Sequence, residues 1–165
     1  EEEFEGKIKA GSTVKKNPSV KNTGISDAFV RVRITISPEQ TEVTLLNGTW
    51  NGTAFSEKGK AADSIATEST LYDPDGDGTG WYQGTDGWFY YNSPVAPGQS
   101  TDNLFDAVKL GDVTKNFDIT VYQEAVFAGS YEAGDKAELP VLKGFFAEVT
   151  KFAVYYQWWY FLDCL

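Results

Sequence analysis

The chain has no histidine, no methionine and a single cysteine in 165 residues. Without histidine it cannot build Ser-His-Asp or Cys-His nucleophilic sets or paired-His zinc sites. It also lacks the side chain that titrates near neutral pH. The one cysteine, Cys164, has no partner in its own chain, so an internal disulfide framework is excluded. Cations are scarce. Lys and Arg number 14 against 24 Asp and Glu, a net charge of −10. A nucleic-acid partner is not expected, because phosphate neutralisation needs clustered Lys and Arg, and the net charge argues against an anionic membrane surface as well. Long apolar runs are missing too. The longest uncharged run of the apolar tail, 152–162, is eleven residues, whereas a spanning helix needs about 20. No membrane insertion of the mature chain is expected. The absent methionine and the opening EEEFEG fit a chain whose leader was processed away.

What the chain does have is β-forming. Apolar residues make up 41%, aromatics 15%, and there are sixteen glycines. That composition is enough for one domain with a real core and many tight turns. The clearest strand is Ala28 to Ile36. Ala28, Val30, Val32, Ile34 and Ile36 alternate with Phe29, Arg31, Arg33 and Thr35, a period of two that marks a half-buried antiparallel strand. Phe117 to Phe127 alternates in the same way. Val14 to Val20 contains Pro18, which has no N–H for a ladder, so this strand is expected at an edge or broken. Asn22-Thr23-Gly24, Asn47-Gly48 and Asn51-Gly52 read as turns, and Glu42 to Leu46 as a strand. Ser56 to Thr70 reads as a surface loop or a short helix near Lys60 to Ile65. Gly129 to Pro140 reads as a loop.

Residues 81–110, WYQGTDGWFYYNSPVAPGQSTDNLFDAVKL, hold two reversals between aromatic runs. Asp86-Gly87 between Trp81-Tyr82 and Trp88 to Tyr91 is a hairpin signal, since glycine accepts positive φ without a Cβ clash. Pro97-Gly98 turns the chain again before Leu104-Phe105 to Val108. Short strands at short intervals predict an all-β fold, an antiparallel β-sandwich of jelly-roll or immunoglobulin-like type with short helical or loop insertions. The expected organisation is one domain over 1–165. Residues 1–13 form an N-terminal extension and 141–165 an apolar C-terminal segment.

Two stretches carry a family resemblance. TVKKNPSVKNTGISDAFVRVRITI at 13–36 resembles the pattern V-x-K-x-P-x-V-x-N-T-G-x-x-D-A-[YF]-V-R of the TasA and camelysin family. These proteins are exported with the help of a SipW-type signal peptidase. GWYQGTDGWFYYNSPVAPGQSTDNLFDAVKL at 80–110 is similar to the aromatic hairpin of the same proteins, and ITVYQEAV at 119–126 to their late strand. The resemblance spans roughly 10–128 in the family's order. It implies a secreted jelly-roll subunit, at the cell surface or in a biofilm matrix. Its partners would be copies of itself in a filament or pilus, with strand complementation between subunits and further subunits capping or anchoring the fibre. The motifs are structural rather than catalytic. The protease label attached to camelysin finds no support here, where histidine and any zinc pattern are absent, so no enzyme activity is expected. The chain departs from the family at both ends. The segment before the first motif is short, and VLKGFFAEVTKFAVYYQWWYFLDCL at 141–165 matches no expected ending.

The candidate interface residues therefore lie at the ends: Phe152, Val154, Tyr156, Trp158 and Tyr160 of the tail, and Phe4 and Ile8 of the extension. The tail is either donated to a neighbouring subunit or packed in its own, as a last strand or a helix. Asp73, Asp75 and Asp77 before Gly78 resemble a calcium loop, but Gly84 stands where an EF-hand needs its final carboxylate. An acidic turn explains them as well, and no other cofactor is indicated. Asn47-Gly48-Thr49 and Asn51-Gly52-Thr53 satisfy the glycosylation sequon, and a turn explains each equally. Cys164 reads as a buried thiol or an intersubunit disulfide. Arg31 and Arg33 read as a solvated face, or as charges that set register against an acidic neighbour. A rival to the fibre subunit is a surface adhesin or carbohydrate-binding module with Trp81, Trp88 and Tyr90 stacked on sugar rings; core packing is their alternative.

Overall fold

The computed structural model of the chain describes residues 10–37, 42–60, 71–72, 80–112 and 117–149. They form two antiparallel sheets and one helix. The four-stranded sheet has the order β1 (Thr13–Lys15), β8 (Ala107–Leu110), β3 (Val43–Asn51), β4 (Ala54–Lys60). The five-stranded sheet has the order β5 (Leu71–Tyr72), β6 (Trp81–Gln83), β7 (Phe89–Tyr91), β2 (Ala28–Ser37), β9 (Asp118–Phe127). The expected all-β antiparallel sandwich is present.

The space between the sheets is filled as the alternation dictates. Val30 and Val32 of β2, Phe89 and Tyr91 of β7, and Ile119 of β9 meet Val108 and Leu110 of β8. Trp81 is fully enclosed and lies against Tyr91, its cross-strand partner, with ring centroids 5.0 Å apart. Its indole N–H donates to the Asp102 carbonyl. The β6–β7 turn spans Gly84 to Trp88, with Gly87 at φ 81° as the Asp-Gly reading requires. Gly98 makes the second reversal at φ 79°. The strand beyond it belongs to the other sheet, because β8 pairs with β1 and β3.

Two expectations change. Asn47-Gly48 is not a turn; it lies inside β3 at a register shift against β4. The buried Asp106 carboxylate accepts the Gly48 N–H at 2.9 Å, and a Cβ at Gly48 would run into the Phe55 ring and the Ser56 carbonyl. Asn47 is 2% exposed, which closes that sequon to a glycan in the folded chain, whereas Asn51 is exposed at the true hairpin turn. Ser56 to Lys60 is strand rather than loop, since β4 continues the hairpin to Lys60. The break expected at Pro18 is present: β1 stops at Lys15, and the chain runs on beside residues 99–104 through single hydrogen bonds to the Pro18, Val20 and Asn22 segment.

The described start of the tail takes the helical alternative. Leu139–Val149 is a helix, α1, with Pro140 in its first turn where a missing N–H costs nothing. Leu139, Leu142 and Phe146 recur at helical spacing and pack on the outer face of the five-stranded sheet. That face is Phe29, Tyr90 and Ala128, with Tyr82, Trp88, Val126 and Tyr131 around them. The molecule is thus three-layered, with a second core outside the sandwich.

Candidate assembly surface

An antiparallel sheet exposes main-chain donors and acceptors at its edges, and the edges here differ in how they are guarded. β1 is three residues long and β5 two. β4 carries exposed Glu57 and Lys58. β9 is ten residues long and pairs with β2 along all of them. Among the described residues, no strand pairs with its other side.

The register identifies which groups face outward. Ala128 N–H donates to the Asp27 carbonyl, which makes 27 and 128 a hydrogen-bonded pair. Pairs alternate along an antiparallel ladder. The next pair, Ala28 with Phe127, therefore points its main-chain groups away from the β2–β9 ladder. Ala28 agrees, exchanging both bonds with Val95 on its other side. Val121, Gln123, Ala125 and Phe127 consequently turn their N–H and C=O toward the open edge. No charged side chain, proline or glycine interrupts these four positions.

A groove of about 870 Å³ opens beside this edge. One wall is β9 from Val121 to Phe127; the other is the segment Pro18 to Asp27. Its floor reaches core side chains, Val30, Val32, Trp81 and Leu104. Those four side chains are themselves at most 3% exposed, so among the described residues the groove bares its rim rather than the core. The rim carries the two most exposed large apolar residues of the described chain, Ile25 at 97% and Phe127 at 64%. Asn22 stiffens the second wall: its Oδ1 accepts the Gly24 N–H, and its amide donates to the Ser26 and Val95 carbonyls.

The outer face of β9 is fixed by a buried polar row. Tyr82, Tyr90, Arg31 and Glu124 are successive cross-strand partners on β6, β7, β2 and β9. Directly opposed residues share a face, so their side chains meet. The Arg31 guanidinium donates to Glu124 Oε2 from Nε at 2.7 Å and from Nη2 at 2.6 Å, and to the Tyr90 hydroxyl from Nη1 at 3.2 Å. Tyr90 in turn donates to Asp86 at 2.7 Å. The guanidinium lies 4.3 Å from the Trp88 ring centroid and 4.7 Å from that of Phe146. Burial, reinforced by the hydrogen bond to the Asp86 carboxylate, pushes the Tyr90 phenol up to about 12. Burial raises Tyr82 as well, with the Glu138 charge adding to it. Charge-assisted bonds of this kind tie the edge strand to β2, and the guanidinium packs on Phe146 of the helix above.

Arg31 is therefore not on a solvated face, because α1 covers it; Arg33, two residues on, is exposed. Of the residues considered for sugar stacking, Trp81 and Tyr90 are enclosed and Trp88 is half-buried beneath Arg31. Asp73, Asp75, Asp77, Phe4, Ile8, Phe152, Val154, Tyr156, Trp158, Tyr160 and Cys164 lie outside the described residues. Among the described residues, no group of acidic or cysteine side chains is placed to hold a metal ion. The open edge of β9 was not among the sequence candidates. Its signal was a long alternating strand free of Lys and Pro, but which strand ends a sheet is not a property of that strand's own residues. Comparison with family models, curated proteins and solved structures finds no match to this chain.

Proposed function

We propose that the protein is a structural subunit of an extracellular filament, a biofilm-matrix fibre or pilus, assembled head-to-tail by β-strand complementation. The observation that carries this reading is the β9 edge, unpaired among the described residues, beside a groove rimmed by exposed Ile25 and Phe127. An incoming strand would satisfy the outward main-chain groups of Val121, Gln123, Ala125 and Phe127 and cover the exposed side chains of Ile25 and Phe127 at the rim. A contact between two different surfaces of one subunit propagates as a fibre when its rotation does not close into a ring. The resemblance of 13–36 and 80–110 to the TasA and camelysin family supports the same reading and adds secretion and a jelly-roll winding to it. The role is structural, not enzymatic. The adhesin reading is weaker, because Trp81 and Tyr90 offer no face to a sugar.

Concentrated protein is expected to form filaments by electron microscopy and to sediment as a concentration-dependent series. A monodisperse monomer at every concentration, with measurable binding to glycans, would overturn the proposal.

A further inference from the structure

We infer that the strand received by the groove is the aromatic tail of a neighbouring copy, residues 152–160, and not the N-terminal extension. The inference rests on the assembly reading above and names its occupant. Three observations favour the tail.

The first is chemistry. The groove floor is apolar, Val30, Val32, Trp81 and Leu104. The tail segment FAVYYQWWY carries no charge, and Phe152, Val154, Tyr156, Trp158 and Tyr160 fall on one face of an extended strand. The extension EEEFEGKIK offers two large apolar residues, Phe4 and Ile8, among four glutamates and two lysines. Burying those charges in an apolar slot is costly, and the chain already carries a net charge of −10.

The second is length. The outward edge from Val121 to Phe127 is about 23 Å long, and residues 152–160 extend to about 30 Å, at roughly 3.3 Å per residue. One tail covers the whole open edge.

The third is where the chain leaves the described structure. Phe145 lies against Phe29 and Phe146 over Arg31, both residues of β2, one strand from the open edge. The helix ends at Val149, less than a turn further. The helix therefore ends on the outer face of the five-stranded sheet, over the strand next to the open edge. An arm that starts at one such edge and fills the same site in the next copy is an exchanged element, the low-cost route to assembly.

Full-length single-cysteine chains test this. Cys164→Ser with Ala125→Cys supplies a thiol on the groove wall. Cys164→Ser with Val154→Cys, Tyr156→Cys or Trp158→Cys supplies one on the tail, and Cys164→Ser with Ile8→Cys one on the extension. Mixed pairs are oxidised with diamide, which takes up the two thiol hydrogens as the S–S bond forms. The expected result is a disulfide-linked mixed dimer with at least one tail position, several-fold more abundant than with position 8. A dimer with position 8 alone overturns the tail assignment and leaves the assembly reading standing. A chain carrying both the wall and a tail thiol that links only within a monomer overturns exchange. Failure of every pair, with wild-type protein that stays monomeric, removes both. A second measurement needs no wall variant. The extension has no tryptophan, so tail seating predicts that acrylamide quenching of the full chain falls on assembly. Trp158→Phe/Trp159→Phe should abolish that fall, and a fall that persists in this variant counts against the tail.

Discussion

Ala125→Lys separates folding from assembly most cleanly. Ala125 sits opposite Val30, so its side chain points to the inner face, yet it is exposed on the groove wall. In the isolated subunit a lysine there keeps its ammonium in water, and stability should change by less than about 0.5 kcal/mol. In the fibre the same ammonium meets the docked strand above an apolar floor. It must lose hydration or bend to the rim, at a cost of roughly 3 kcal/mol per contact. At about 1.4 kcal/mol per tenfold, that raises the concentration needed for assembly by about 100-fold. Inward-pointing charges of this kind are what natural edge strands use to refuse partners. The assay is pelleting over a concentration series, with circular dichroism and thermal melting to confirm the fold. Thr53→Lys, on the exposed turn of the β3–β4 hairpin, adds the same charge away from the groove and should assemble as wild type does. Ala125→Lys that is folded and assembles at the wild-type concentration would refute the reasoning.

Phe146→Ala empties the centre of the second core and should cost about 3–5 kcal/mol in urea unfolding, with α1 loosened first in hydrogen exchange. Glu124→Leu leaves the Arg31 guanidinium, whose side chain is only 10% exposed, without its carboxylate. A loss of about 3–5 kcal/mol is expected, and Arg31→Met/Glu124→Leu should recover much of it in a double-mutant cycle. Tyr90 gives a pH dependence. Its folded pKa of about 12 stands above an unfolded value of about 10. The fold favours the protonated phenol, so this contribution is whole below about pH 10 and is lost as pH rises toward about 12. Tyr90→Phe should flatten that alkaline decline in melting temperature. Gly48→Ala should destabilise by about 1–3 kcal/mol, since the new methyl meets the Phe55 ring and the Ser56 backbone.

Local rules carried far along this chain. The alternation of 28–36 and 117–127 located β2 and β9 to within a residue or two, because side chains in a strand alternate faces whatever surrounds them. Asp86-Gly87, Asn51-Gly52 and Pro97-Gly98 marked real reversals, because positive φ is a demand on one residue. Asn47-Gly48 misled for the same reason: the glycine answers to close packing from β4 and a bond from Asp106, which its neighbours in sequence do not reveal.

Tertiary structure decided the rest. Alternation says that a strand has two faces but not what covers each, so Arg31 read as solvated until α1 was found over it. The 141–149 stretch is apolar enough to serve as strand or helix. The helix was selected because Leu139, Leu142 and Phe146 meet an apolar sheet face already built by Phe29 and Tyr90. An edge is a matter of what is absent from one side. The sequence by itself determined β9 as a strand; only the order of the sheets left its outer groups open among the described residues, because pairing is settled between residues far apart in the chain.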